Sequence, residues 1–299
     1  MNKKADAIII GAGVIGSSVA FELAKRGYKT LNIDKLPTSG YGSTSNSCAI
    51  VRAHYSTWDG VAMAYEGFFY WDDWANYLGV EDERGMIKYM KTGSIMFKLQ
   101  GEDHSKKSLK FFEEIGVEHE IWDLEKLKER MPIYSHDQFD GTTRPDDDEH
   151  FFDKTGKKIE GAIFTPGSGY VSDPQLSSHN LQVAAEANGG EFLFNNEIKE
   201  IRQEDGKVLG VSLKTGEQID APIVVNVAGP HSFVINRMAG VEEEMNIKTK
   251  ALRHEVHHVP SPEGFDFEKD GFHTSDGDNY IYFRPETGNT ILIGSEDPL

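Results

Sequence analysis

Cysteine is nearly missing from this 299-residue chain, Cys48 being the single one. A lone thiol forms no internal disulfide and supplies no CxxC metal or redox motif, which fits a reducing compartment. Long apolar runs are missing too: no stretch approaches the roughly 18 apolar residues of a membrane-spanning helix. The apolar residues after Asn2-Lys3-Lys4 imitate a secretory signal, but Glu22, Lys25 and Arg26 follow in helical register. Positive charge is scarce, with 31 Lys and Arg against 49 Asp and Glu, a formal net charge of -18. That argues against nucleic acid and anionic membrane surfaces as partners. The chain is expected to be soluble and cytoplasmic, and its length suits one large or two intertwined domains.

What is present begins at Ala7. Ala7 to Ile10 is an uninterrupted apolar run, as in a parallel strand buried on both faces. Gly11-Ala12-Gly13-Val14-Ile15-Gly16 follows. In a dinucleotide fingerprint the first glycine makes the sharp turn, the second lets a pyrophosphate approach the backbone, and the third lets helix pack on strand. The helix, from about Val14 to Arg26 with Gly27 as its cap, presents the amides of Val14 and Ile15 and its dipole to the phosphates. A second strand, Thr30 to Asp34, ends in an acid about 20 residues past the last glycine, where a carboxylate accepts ribose hydroxyls; Lys35 beside it joins the candidate set. The fingerprint alone also suits an NAD-dependent dehydrogenase.

The loop 37–47 is small and polar, with Gly42, Ser43 and Thr44 offering amides and hydroxyls to a phosphate or flavin. An aromatic helix is expected from Asp59 to Leu78, with Tyr65, Phe68, Phe69, Trp71 and Trp74 in the core. Further helices are expected over Ser105–Ile115, Leu124–Arg130 (capped by Asp123), Pro174–Ala187 and Pro230–Ala239. Strands are expected at 91–99, 117–122, 191–194, 197–202, 208–213, 218–221, 223–227, 247–259, 280–283 and 290–293, with ordered structure resuming at Gly161 after the polar stretch 134–160. The acidic run Asp146-Asp147-Asp148-Glu149 reads as a solvated loop and not as a metal site.

These motifs, with Phe164-Thr165-Pro166-Gly167-Ser168-Gly169-Tyr170-Val171-Ser172-Asp173-Pro174 and Val225-Asn226-Val227-Ala228-Gly229-Pro230, resemble the D-amino-acid oxidase/sarcosine oxidase superfamily of FAD-dependent oxidoreductases. The likeness runs along essentially the whole chain and is nearest the sarcosine oxidase β-subunit and dimethylglycine dehydrogenase branch. It implies an α/β fold: a doubly wound FAD domain (1–85 and 160–240) interleaved with a substrate domain on a mostly antiparallel sheet (86–159 and 241–299). It implies FAD held by Gly11, Gly13 and Gly16 at the pyrophosphate, Asp34 at the ribose, Ser43 and Thr44 on the phosphate side, Ile198 at the adenine, and Ala228-Gly229 closing over the cofactor. Asn46 stands near the place where dimethylglycine dehydrogenases carry a flavin-linking His, so attachment is expected to be non-covalent.

The activity implied is oxidation of the C–N bond of a small secondary or tertiary amine or amino acid. Arg52 is the first candidate for positioning flavin or a substrate carboxylate, with His54, Tyr282 and Arg284 as further catalytic candidates. Leu292 takes the place of a Lys found in monomeric sarcosine oxidases, which favours a dehydrogenase over an oxidase. Relatives continue past Leu299 with a glycine-rich segment over the flavin, so a continuation or a partner chain is expected to supply it. The alternatives are a non-catalytic FAD-binding subunit that needs a partner and, less favoured, an NAD-dependent dehydrogenase. No metal is expected. His254-Glu255-Val256-His257-His258 matches the HExxH zinc pattern, but its flanks read as strand, where residues four apart lie roughly 13 Å from each other.

Overall fold

The computed structural model describes residues 3–139 and 149–295. The chain divides into two compact units, one of Met1–Ser47, Trp74–Lys88 and Asp173–Leu252, the other of Cys48–Asp73, Tyr89–Ser172 and Arg253–Leu299.

The first unit is built on a four-stranded sheet in the order Glu191–Leu193, Thr30–Ile33, Ala7–Ile10, Ile223–Asn226. Every pairing in it is parallel. Ile8 and Ile10 point to one face with Leu31 and Ile33, and meet Ile201, Val211 and Ile219. Those partners come from a second sheet, the meander Ile198–Glu204, Lys207–Leu213 and Gln218–Asp220 with Lys3–Lys4 at its edge. The hairpin turns at Asp205 and Gly206, both at positive φ. Against the parallel strands lie the helices Val14–Lys25 and Pro174–Ala187, which also pack on each other. Asp173 caps the second by accepting from the Leu176 amide at 2.9 Å, and Pro174 fills its first turn.

The second unit centres on a seven-stranded sheet in the order Val256–Pro260, Thr290–Ser295, Ile281–Glu286, His273–Asp276, Ser94–Leu99, Ile159–Thr165, Glu120–Asp123. Only the His273–Asp276 and Ser94–Leu99 pair is parallel among the pairings of this sheet. One face carries the aromatic core of Phe97, Trp122, Phe267 and Phe272. The other meets the helices Trp58–Asp72 and His104–Ile115 through Met96, Ile163, Phe68 and Phe112. Residues 48–73 and 160–172, assigned from the sequence to the first domain, group with this unit. The reason is pairing: Ile159–Thr165 lies between Ser94–Leu99 and Glu120–Asp123, and Ile50–Val51 pairs with Gly169–Val171.

Three local expectations need correction. The aromatic helix is two helices, Trp58–Asp72 and Trp74–Leu78, interrupted at Asp73, whose φ and ψ of -112° and 36° are not helical. Phe69 is 62% exposed and so is not core. Of the strand expected over 247–259 only Val256–Pro260 forms, and Ile247 is 80% exposed. The acidic residues 146–148 lie outside the described residues.

Candidate cofactor groove and polar cluster

The groove in the first unit is made largely of backbone. The strand Ala7–Ile10 stops at Gly11, whose φ is +110° and whose absent Cβ would fall 2.4 Å from the Val227 carbonyl oxygen. A side chain there is excluded by conformation and by space alike. A Cβ on Gly16 would lie 1.8 Å from the Gly11 carbonyl oxygen, so this glycine sets how closely the helix sits on the turn. Gly13, the residue before the helix, faces the loop: its Cβ would come within 3.1 Å of Thr44 Oγ1. Val14 N–H donates to that same hydroxyl at 3.1 Å, tying the turn to the loop.

These elements surround a cavity of about 440 Å³, within the usual range for cofactor sites. Gly11, Gly13, Asp34, Lys35, Gly42, Ser43, Thr44, Ile198, Ala228 and Gly229 all line it. Val14, Ile15 and Gly16 do not: Val14 is bonded to Thr44, Ile15 points outward at 64% exposure, and Gly16 is packed against Gly11. The Asp34 carboxylate accepts from Ala12 N–H at 2.7 Å through Oδ2 and from Leu36 N–H at 2.9 Å through Oδ1. The acid is thereby fixed at the mouth of the turn, and carboxylate oxygens retain lone pairs for further donors. Sequence reasoning missed the apolar wall of Val234, Ile235 and Met238. Their one-and-four spacing on the helix Ser232–Met238 was the available signal.

The second unit gathers polar groups on one face of its large sheet. Ser275 is the cross-strand partner of Tyr282, and His273 lies two residues before Ser275 on that face. Arg52 Nη1 donates to Ser275 Oγ and to His54 Nε2, each at 3.0 Å, while His54 Nε2 and Ser275 Oγ are 2.9 Å apart. Arginine only donates, so the lone pair of His54 Nε2 faces it and the ring is the neutral Nδ1–H tautomer. Burial, and then the Arg52 charge, hold His54 well below the usual histidine range. His273 stacks on His54 with centroids 5.8 Å apart and meets Ser94 Oγ through Nδ1 at 2.7 Å. Burial first, then Arg52 and Arg284, push its pKa down to about 3. Two neutral imidazoles therefore stand beside a permanent cation.

Tyr282 lies opposite Gly294, where a Cβ would land 2.3 Å from its ring, so that glycine makes room for the phenol. Arg284 is different. It is 2% exposed; Nε donates to the Cys48 carbonyl at 2.5 Å, Nη1 to the Pro285 carbonyl at 2.6 Å, and Nη2 pairs with Glu286 at 3.0 Å. The Tyr170 ring lies 4.0 Å from its guanidinium carbon. Arg284, a catalytic candidate from the sequence, thus has its fork occupied inside the protein. Leu292 pairs with Arg284 in register. His258 bonds Thr290 Oγ1 at 2.6 Å and His254 the Ser295 carbonyl at 3.0 Å. Among the described residues no cluster of His, Cys, Asp and Glu could hold a metal.

The family model for DAO, FAD dependent oxidoreductase, matches residues 6–299. The chain belongs to that family. FAD is accordingly its cofactor, and the α/β architecture is that of the family. Among curated relatives, a glycine oxidase from Geobacillus kaustophilus is 25% identical over 99% of this chain and 71% of its own length. The mitochondrial pyruvate dehydrogenase phosphatase regulatory subunit of Mus musculus is 24% identical over 98% of this chain but only 30% of its own. A solved L-proline dehydrogenase from P. horikoshii shares the fold, with a TM-score of 0.78 at 20% identity, over 100% of this chain and 71% of that one. The chain thus spans less than half the length of the first curated relatives it matches. The groove suits the adenosine diphosphate part of FAD: a side-chain-free turn for the pyrophosphate and a fixed carboxylate at a strand end. Among the described residues no helix is long and apolar enough to cross a membrane.

Proposed function

We propose that the protein oxidises the C–N bond of a small amine or amino acid, of the glycine, N-methylglycine, dimethylglycine or proline type. In this reading Gly11, Gly13, Ser43 and Thr44 hold the pyrophosphate, Asp34 the adenosine ribose, Ile198 the adenine by its backbone, and Ala228-Gly229 close the groove. When bound, FAD supplies an acceptor for the two electrons and the hydrogen that leave the carbon beside nitrogen. The imine so formed on the substrate is hydrolysed by water.

The chain's own contribution is orientation. Arg52 carries a planar, permanently charged fork that matches a carboxylate, and Tyr282 shares the sheet face of Ser275, to which Arg52 is bonded. The neutral state of His54 and His273 leaves Arg52 as the charge that draws an anion to this cluster. The observation that carries the reading is Arg52 fixed in a polar cluster of a chain matched along its length to the FAD dependent oxidoreductase family, whose members similar to this chain include a glycine oxidase and a monomeric sarcosine oxidase. Leu292 in place of Lys supports a dehydrogenase that passes electrons to a carrier other than oxygen.

The test is anaerobic bleaching of the 450-nm-region flavin band by sarcosine, dimethylglycine, glycine and proline in turn. Bleaching by at least one is expected. A yellow protein that none of them reduces supports the second reading, a flavin-binding subunit without its own turnover, which the match to the mouse regulatory subunit favours.

A further inference from the structure

We propose that His54 and Ser275 are positioning residues for Arg52, setting the guanidinium plane that receives a substrate carboxylate. This rests on the reading of Arg52 as the carboxylate anchor. An arginine reaching a ligand through four rotatable bonds gives bidentate recognition only if its plane is held before the ligand arrives. Here one nitrogen of the fork, Nη1, is fixed by two acceptors from separate parts of the chain, His54 Nε2 and Ser275 Oγ, each 3.0 Å away.

The two acceptors also touch each other at 2.9 Å, so Arg52, His54 and Ser275 close a triangle in which moving one corner breaks two contacts. The triangle has a rigid back. His54 is buried against His273, and Ser94 fixes the His273 ring at 2.7 Å from within the sheet. Ser275 lies in the strand His273–Asp276, clamped between Ser94–Leu99 and Ile281–Glu286. A protonated His54 could not serve, because both ring nitrogens would then donate; burial beside Arg52 and His273 keeps the acceptor lone pair available.

The arrangement predicts a charge-selective defect. The test measures binding to the FAD-loaded full chain by calorimetry, using methoxyacetate and tetrahydrofuran-2-carboxylate. These are N-methylglycine and proline with ether oxygen replacing nitrogen, so they are not oxidised at that bond. Their methyl esters are the uncharged controls. Ser275→Ala and His54→Phe should each weaken the acids about tenfold and leave the esters within twofold, and Ser275→Thr should restore acid binding. A 15N spectrum of the wild type should show His54 Nε2 as the unprotonated ring nitrogen.

Arg52→Ala separates the two claims. If it abolishes the preference for acid over ester while Ser275→Ala and His54→Phe do not, the positioning role is wrong and the anchor stands. If Ser275→Ala weakens acid and ester alike, its role is structural and the proposal falls. If the wild type shows no preference for acid over ester, or binds neither acid, the anchor reading fails and takes this inference with it.

Discussion

The groove of the first unit and the polar cluster of the second are built on opposite principles. The groove rests on backbone: a glycine turn, a loop of small residues and a strand end, all within the first 47 residues, faced by residues 196–198 and 227–238. The cluster is side chains brought together from far apart, Arg52 and His54 bonding Ser275 across separations of 223 and 221 residues. A site made of backbone fails when a Cβ is added. A site made of side chains fails when one functional group is removed. The comparison sets where each kind of substitution should act.

The largest effect is expected at Gly11. With φ at +110° and Val227 O 2.4 Å from the missing Cβ, Gly11→Ala must distort the turn. Flavin retained through purification should fall more than about tenfold while circular dichroism stays near wild type. Full flavin occupancy in this variant would show that the groove tolerates what its geometry forbids.

Next comes the pair of arginines. Arg284 and Arg52 look alike in sequence, each polar within a strand-like apolar stretch, yet Arg284 is enclosed by Cys48, Pro285, Glu286 and Tyr170. Arg284→Met should cost about 3 kcal/mol of stability, because it leaves the partners of a buried charge unmatched. It should not change the preference for acid over ester ligands. Urea unfolding and the ligand titration read the two effects separately, and a selective loss of acid binding would return Arg284 to the substrate site.

The neutral histidines give a pH dependence of definite sign. The pKa of His273 is depressed from 6.5 to about 3. Between those values the unfolded chain takes up a proton that the folded chain refuses, so stability is lost as pH falls below 6.5. Between neutrality and about pH 5 this amounts to about 2 kcal/mol, and His273→Gln should flatten that part of the profile. An unchanged slope in the variant would mean that His273 is protonated in the fold.

The same contrast explains what could be read in advance. Gly11, Gly13, Asp34 and the Gly42–Thr44 loop were legible because each answers a local demand of turn, approach or cap, and local demands leave fixed spacings. Tyr282 and Arg284 were legible as sharing a sheet face, since alternation is local too. That one packs over a glycine and the other inside a closed cage depends on Gly294, Cys48 and Tyr170, which no spacing announces. Ser275 and His273 went unread for the same reason: only strand order brings them to Arg52. Phe69 and Ile247 were misread because apolar residues suggest burial, whereas the covering element decides it.

The smallest effect is the most informative about the groove. Asp34 both fastens the fingerprint turn through Ala12 N–H and, in the proposed function, grips the adenosine ribose. Asp34→Ala would weaken FAD about tenfold by either route. The two routes separate with FMN, which keeps the flavin and one phosphate but lacks the adenosine. If Asp34 acts on the ribose, the substitution should lower FAD affinity and leave FMN affinity nearly unchanged, narrowing the gap between them. If it acts only by fastening the turn, both affinities should fall together, and the carboxylate would be part of the frame that holds Gly11 and Gly13 in place.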